Sequence, residues 1–289
     1  MKISVSSYSL CRLLDENTTN LDLMDISKRI GLDAIEFTDL PGEGEERIAN
    51  AKAILQKSKE IDLPICAYTV FADFLNGSDG DIDKEIARVK EQVDIAEILG
   101  VKVMRHDATG GYKSKEDRTY KGFDDVLPRL VKGCRAVTEY AATKGIKTMV
   151  ENHGFFSQDS LRVEKLVNTV ANENFGALVD IGNFLCADED PVTAVGRMAP
   201  YAFHAHVKDF YVRSGNGINP GDGFFMSRGG NYLRGAIAGQ GDVPVLQCLR
   251  ALKRSGYDGY ISIEFEGLED PQLGVKIGHD NLRRIIEML

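Results

Sequence analysis

The chain has 289 residues, of which 43% are hydrophobic and 27% charged, as in ordinary soluble globular proteins. That length suits a single large α/β barrel, which buries its core without disulfide or metal staples. The net charge of −9 and the lack of any Lys/Arg block argue against a nucleic-acid partner, whose phosphates demand a basic surface.

The five cysteines, Cys11, Cys66, Cys134, Cys186 and Cys248, are scattered and odd in number. Free thiols in a reducing compartment are expected, and hence a cytoplasmic protein. The N-terminus MKISVSSYSLCRLLDE carries no sustained apolar segment and reads as a first strand, not a signal peptide. No run approaches a membrane span, so no membrane association is expected.

Strands and helices alternate along the chain. Ile3–Tyr8 is predicted as a strand, followed by a helix over Leu21–Ile30 that stops at Gly31. Asp33–Phe37 is a second strand and Gly44–Ile61 a helix with a charged face. Pro64–Val70 is the third strand. Asp81–Leu99 repeats apolar residues at helical spacing and is capped by Gly100. Val101–His106, Phe123–Lys144, Lys147–Asn152 and Ser160–Asn172 continue the alternation. Ala177–Ile181, Pro191–Met198 and Ala202–Val207 follow. Val243–Ser255, Tyr260–Glu264 and Pro271–Met288 close it.

Eight strand–helix units imply parallel pairing with right-handed crossovers. The predicted fold is α/β, a (β/α)8 TIM barrel forming one domain over residues 1–289. No GxGxxG opens the first helix, which disfavours a dinucleotide fold. The one long connection, residues 210–242, is rich in glycine and follows the seventh strand. Its place on the face where barrel active sites lie makes it a candidate substrate-covering lid.

Four potential metal ligands stand at the ends of apolar runs. They are Glu151 in TMVENHG, Asp180 in ALVDIGN, His206 in FHAHVKD and Glu264 in YISIEFEG. Their gaps correspond to roughly one, one and two strand–helix units, which places all four at one barrel mouth. Three carboxylates and one imidazole suit one divalent ion, Mn²⁺ first, with Mg²⁺, Co²⁺ or Zn²⁺ as alternatives. Taken singly, each has a bland role: an acid capping the next helix, or a satisfied core histidine. His204 shares a strand face with His206, and Glu266 with Glu264; the strand-end position favours His206, and Glu264 is preferred as the more buried of its pair. His153 and Lys208 are candidate substrate contacts, although Lys208 could instead pair with Asp209. Tyr8, Glu36, Tyr68, Arg105 and Asp107 are further mouth candidates, of which Glu36 and Arg105 are favoured as substrate contacts.

The segments VENHG, VDIGN, HVKD and IEFEG resemble the sugar isomerase/epimerase superfamily with the xylose-isomerase-like barrel. Its members include D-tagatose 3-epimerase, inosose dehydratase and isomerase, and endonuclease IV. The segment YLRGAIAGQGDVP is also similar to a stretch that precedes the seventh helix in bacterial members. The resemblance implies that Glu151, Asp180, His206 and Glu264 bind the metal and that Glu151 and Glu264 form an acid/base pair. Where many members carry DxxH, this chain has Asn183, a candidate substrate contact by that position. Val212 replaces an Arg typical of the ketose epimerases. A trinuclear endonuclease IV site needs more histidines than the five present.

The expected function is metal-dependent isomerisation or epimerisation of a sugar or sugar derivative, through proton abstraction and a metal-stabilised enediolate. A lyase or dehydratase using the same intermediate is the alternative, and a non-catalytic sugar-binding barrel a further one. The expected partner is a small-molecule sugar, with a homo-oligomer possible.

Overall fold

The computed structural model describes residues 1–114 and 121–289. Eight parallel strands close a barrel in the order β1-β11-β7-β6-β5-β4-β3-β2. They are β1 (Lys2–Ser6), β2 (Ala34–Thr38), β3 (Ile65–Val70), β4 (Val103–His106), β5 (Lys147–Glu151), β6 (Phe175–Asp180), β7 (Ala202–Val207) and β11 (Tyr260–Ile263). The helices are α1 (Asn20–Ile30), α2 (Gly44–Glu60), α3 (Ile82–Leu99), α4 (Phe123–Ala142), α5 (Ser160–Val170), α6 (Pro191–Met198), α7 (Val245–Arg254) and α8 (Pro271–Ile286). This is the (β/α)8 barrel expected from the alternation.

Local chemistry sets the helix ends. Thr19 and Asp22 form a capping box at the start of α1, with the Thr19 N–H donating to Asp22 Oδ2 at 2.8 Å. Gly31, at φ 94°, ends that helix in a left-handed conformation that costs glycine nothing. Some boundaries differ from expectation. The first strand stops at Ser6, and Ser7–Leu13 coil into a 3-10 turn that carries Tyr8 out to the barrel mouth. Helix α7 starts at Val245 because Pro244 precedes it.

Strand pleating sorts side chains between two environments. Val150, Val179, Ala205, Ile261 and Ile263 join the main apolar core, together with helix residues such as Leu166 and Leu249. Their neighbours in sequence, at alternate positions, fill the barrel interior. Ala67, Met149 and Leu178 form a small apolar plug there. Beside them runs a polar layer, with Ser4 Oγ 2.7 Å from Ser262 Oγ and Glu36 bonded to His204 and His206. The next inward positions towards the mouth are Arg105, Glu151, Asp180, His206 and Glu264.

The long connection after β7 is itself folded. Strands β8 (Asp209–Arg213), β9 (Phe225–Met226) and β10 (Tyr232–Ala236) make an antiparallel sheet in the order β8-β10-β9. Phe210, Leu233 and Cys186 form its buried contact with the barrel. Arg228 ties it to the loop after β5, with Nη1 2.9 Å from Asp159 Oδ2. Among the described residues, none from 209 to 242 lines the central cavity. Asp209 pins its base. Its carboxylate accepts the N–H groups of Phe210 and Val243 on one oxygen and of Gly239 and Gly241 on the other, at 2.8–3.1 Å. It therefore does not pair with Lys208.

Among the described residues no helix is long and apolar enough to cross a membrane. All five cysteines are free, as expected.

Two outcomes follow. Asp209→Ala leaves four backbone donors without their acceptor and is expected to cost on the order of 3 kcal/mol in denaturant unfolding. Limited proteolysis within residues 214–230 should accelerate in the same variant. His106 is fully buried between Phe74 and Phe175, and burial pushes its pKa from 6.5 down to about 4. Only the unfolded chain takes up its proton between those values. Stability should therefore fall as pH drops from about 6.5 towards 4, more shallowly in His106→Gln.

Candidate metal centre and active site

The strand ends of β5, β6, β7 and β11 bring Glu151, Asp180, His206 and Glu264 together. One ligand atom from each lies within 4.8 Å of the others. Register explains the convergence: Asp180 pairs with His206 across β6 and β7, and His206 pairs with Ser262, two residues before Glu264.

Each side chain is held from behind. Asp180 Oδ1 accepts the N–H groups of Gly182 and Asn183, both at 2.8 Å. Gly182 is required at this turn, because a Cβ there would lie 2.5 Å from the Lys208 carbonyl oxygen. Glu151 Oε1 accepts from Asn183 Nδ2 at 3.0 Å, and its Oε2 lies 2.7 Å from Arg105 Nη2. Glu264 Oε2 faces Lys208 Nζ at 2.6 Å. His206 Nε2 is engaged by the Glu36 carboxylate at 2.9 and 3.0 Å, which turns Nδ1 towards the cluster.

Three ligand atoms of the cluster, Asp180 Oδ2, His206 Nδ1 and Glu264 Oε2, are buried and have no hydrogen-bond partner, and Lys208 Nζ faces the last of them. Buried polar atoms are normally satisfied, so Asp180 Oδ2 and His206 Nδ1, with no counter-charge nearer than 3.5 Å, invite a ligand. Like charges are crowded here as well. Burial pushes the Asp180 carboxyl up to about 7; Lys208 opposes the shift, while Glu264 and Glu151 add to it. Burial alone would raise Glu264, but Lys208 and His206 hold it well below the ordinary carboxylate range. His206 is raised well above the usual imidazole value, against burial, by Glu36 and Glu264. Three carboxylates, one imidazole and two orphaned donors facing one point fit a divalent ion.

The cavity above the cluster has a volume of about 220 Å³. Arg105, His153 and Lys208 line its wall. Arg105 Nη2 is also 2.8 Å from Asp107 Oδ1, and His153 Nδ1 is 3.1 Å from the same oxygen. Lys208 further pairs with Glu266 at 3.1 Å. Asn183 is buried behind the wall, bridging Glu151 and Lys208. Glu36 departs from its expected place. It is fully buried beneath the cluster, accepts from His204 at 2.7 Å as well as from His206, and does not reach the cavity. Tyr68 is also away from the mouth, with its hydroxyl donating to Gln92 Oε1 at 2.8 Å. Thr38, Asp39, Thr69 and Phe71 line the cavity without having been singled out in the sequence. Their signal was available: they stand at or just past the ends of β2 and β3.

A family model described as xylose isomerase-like TIM barrel matches residues 24–285. The inosose dehydratase of Lacticaseibacillus casei is 24% identical over 265 residues, covering 88% of this chain and 87% of that protein. The solved structure of the IolI protein with a zinc atom superposes with a TM-score of 0.77 at 17% identity, covering 100% of this chain and 99% of that one. The 3-keto-D-glucoside 4-epimerase YcjR of E. coli gives a TM-score of 0.72 at 14% identity, covering 98% and 99%. The chain belongs to the family of xylose isomerase-like TIM barrels.

Proposed function

We propose that this protein is a divalent-metal-dependent isomerase or epimerase of a sugar or sugar derivative, with Glu151, Asp180, His206 and Glu264 as metal ligands. The observation that carries the reading is the pair of orphaned atoms, Asp180 Oδ2 and His206 Nδ1, between two glutamates that are each held by a cation. The donor set favours Mn²⁺, with Mg²⁺, Co²⁺ or Zn²⁺ as alternatives. Such an ion supplies Lewis-acid stabilisation for the negative charge that develops on a carbonyl oxygen when a neighbouring C–H is deprotonated.

The residues of the chain move the proton. One of Glu151 and Glu264 removes it from the carbon beside the carbonyl, and the other delivers one. Delivery to the opposite face of the same carbon inverts it; delivery to the adjacent carbon exchanges aldose and ketose. Lys208 holds Glu264 ionised and so able to accept a proton. Arg105 and Asn183 fix the orientation of Glu151. His153 and Lys208, on the cavity wall, bind substrate hydroxyls.

A second reading is elimination. The match to an inosose dehydratase over 88% of the chain favours it. The same deprotonation followed by loss of a β-hydroxyl gives a dehydratase or lyase.

Metal analysis of reloaded protein should find about one divalent ion per chain, and Asp180→Asn should abolish it. Glu36→Gln, which reaches the cluster through His206, should weaken binding roughly 10–100-fold while the metal-free protein stays folded. Wild-type protein that takes up no ion after incubation with Mn²⁺, Co²⁺ or Zn²⁺ contradicts the ligand assignment.

Proton exchange from D₂O into a panel of ketoses, keto-sugars and inososes, followed by NMR, tests the chemistry. Glu151→Gln and Glu264→Gln should each slow exchange by about 10²-fold or more. Undiminished exchange in both variants would remove the glutamates from the acid/base role.

A further inference from the structure

The barrel mouth holds a second hollow beside the first. It has a volume of about 550 Å³, against about 220 Å³ for the cavity over the cluster. Thr38 and Asp39, at the end of β2, line both. So does the turn after β1: Tyr8 faces the first cavity, while its neighbour Ser7 faces the second. The second therefore adjoins the first, with Thr38 and Asp39 between them.

Its chemistry is mixed in the way a hydroxylated ring requires. Leu21 and Ile54 give apolar surface, and Asn20, Asn50 and Thr19 give polar groups. Asp39 commits Oδ2 to the Phe71 N–H at 2.9 Å, which leaves Oδ1 available between the two hollows. Exposed apolar side chains, which are usually single and scattered, gather here. Tyr8 and Phe71 rim the first cavity and Leu14 the second. The C–H face of a sugar ring packs on such groups while its hydroxyls reach the polar ones.

Charge narrows the ligand. Among the described residues, no Lys, Arg or His lines the second hollow. In the first, Arg105 is paired with Asp107 and Glu151, and Lys208 with Glu264 and Glu266. Neither space offers an uncommitted permanent cation to a phosphate.

We propose that the substrate is neutral and has two parts: a sugar ring over the cluster, glycosidically joined to a second hydroxylated ring seated in the lateral hollow. This rests on the function proposed above. Ala53 lies on α2 and lines the second hollow but not the first. A Trp there is expected to narrow that space.

The test is equilibrium binding to the full-length, metal-loaded protein, with sucrose, maltose and cellobiose as two-ring probes and glucose and glucose 6-phosphate as one-ring probes. At least one two-ring sugar should bind about tenfold or more tightly than glucose. Ala53→Trp should erase that advantage without changing glucose binding, and Asn50→Trp should do the same. Equal affinity for one and two rings overturns the proposal, as does an advantage that survives both substitutions, or tighter binding of glucose 6-phosphate. Binding of no two-ring sugar also overturns it. Because binding needs no turnover, this result is separate from the exchange experiment. Exchange confined to one-ring substrates would leave the chemistry standing and remove only this inference.

Discussion

Beneath the mouth of the barrel, one buried carboxylate engages two histidines. Glu36 takes Nε2 of both His204 and His206 and is itself fully enclosed. The charge of the imidazoles outweighs the cost of burial and holds Glu36 far below the ordinary carboxylate range. The consequence is directional. With Nε2 committed, only Nδ1 of His206 can face the three carboxylates above it. Histidines that bind metals are commonly oriented through their second nitrogen in this manner. The rest of the site is arranged around that constraint: Asp180 with one oxygen tied to its own turn, and Glu151 and Glu264 tied to Arg105 and Lys208.

The fold makes this arrangement possible without strain at the site. Parallel strands put alternate residues inside the barrel, and β4, β5, β6 and β7 each place a charged or ionisable group towards the mouth, Arg105, Glu151, Asp180 and His206, with Glu264 just past β11. Helices cover the other face with aliphatic side chains, so the charges remain in one small volume. Crowding them is costly, as the raised Asp180 carboxyl shows. Two cations, Arg105 and Lys208, offset part of that cost. The remaining imbalance, with two unpartnered donor atoms, is the physical argument for a divalent ion.

Much of this was legible in the sequence. The eight units followed from helical periodicity, terminal glycines and short β-prone runs. The four cluster residues followed from acids and a histidine recurring at strand ends. His206 and Glu264 are the members of the two neighbouring pairs that lie with Glu151 and Asp180, while His204 lies with Glu36. Glu36 was legible as a strand residue but not as a buried one. Its neighbours Ile35 and Phe37 are equally buried, so hydrophobic pattern cannot say which way a strand with two covered faces points. The destination of Asp209 was hidden because three of its four partners are backbone N–H groups more than 29 residues away in the chain. The same holds for the segment after β7. Its glycine content did not reveal the pairing of β8 with β10, which depends on register that only tertiary contact supplies.

Anomalous scattering from crystals grown with Mn²⁺ or Zn²⁺ tests the central claim most directly. One strong peak is expected within coordination distance of Asp180 Oδ2 and His206 Nδ1, with Glu151 and Glu264 completing the shell. No peak at the cluster, or an ion on the Nε2 side of His206 beside Glu36 and His204, would contradict the account.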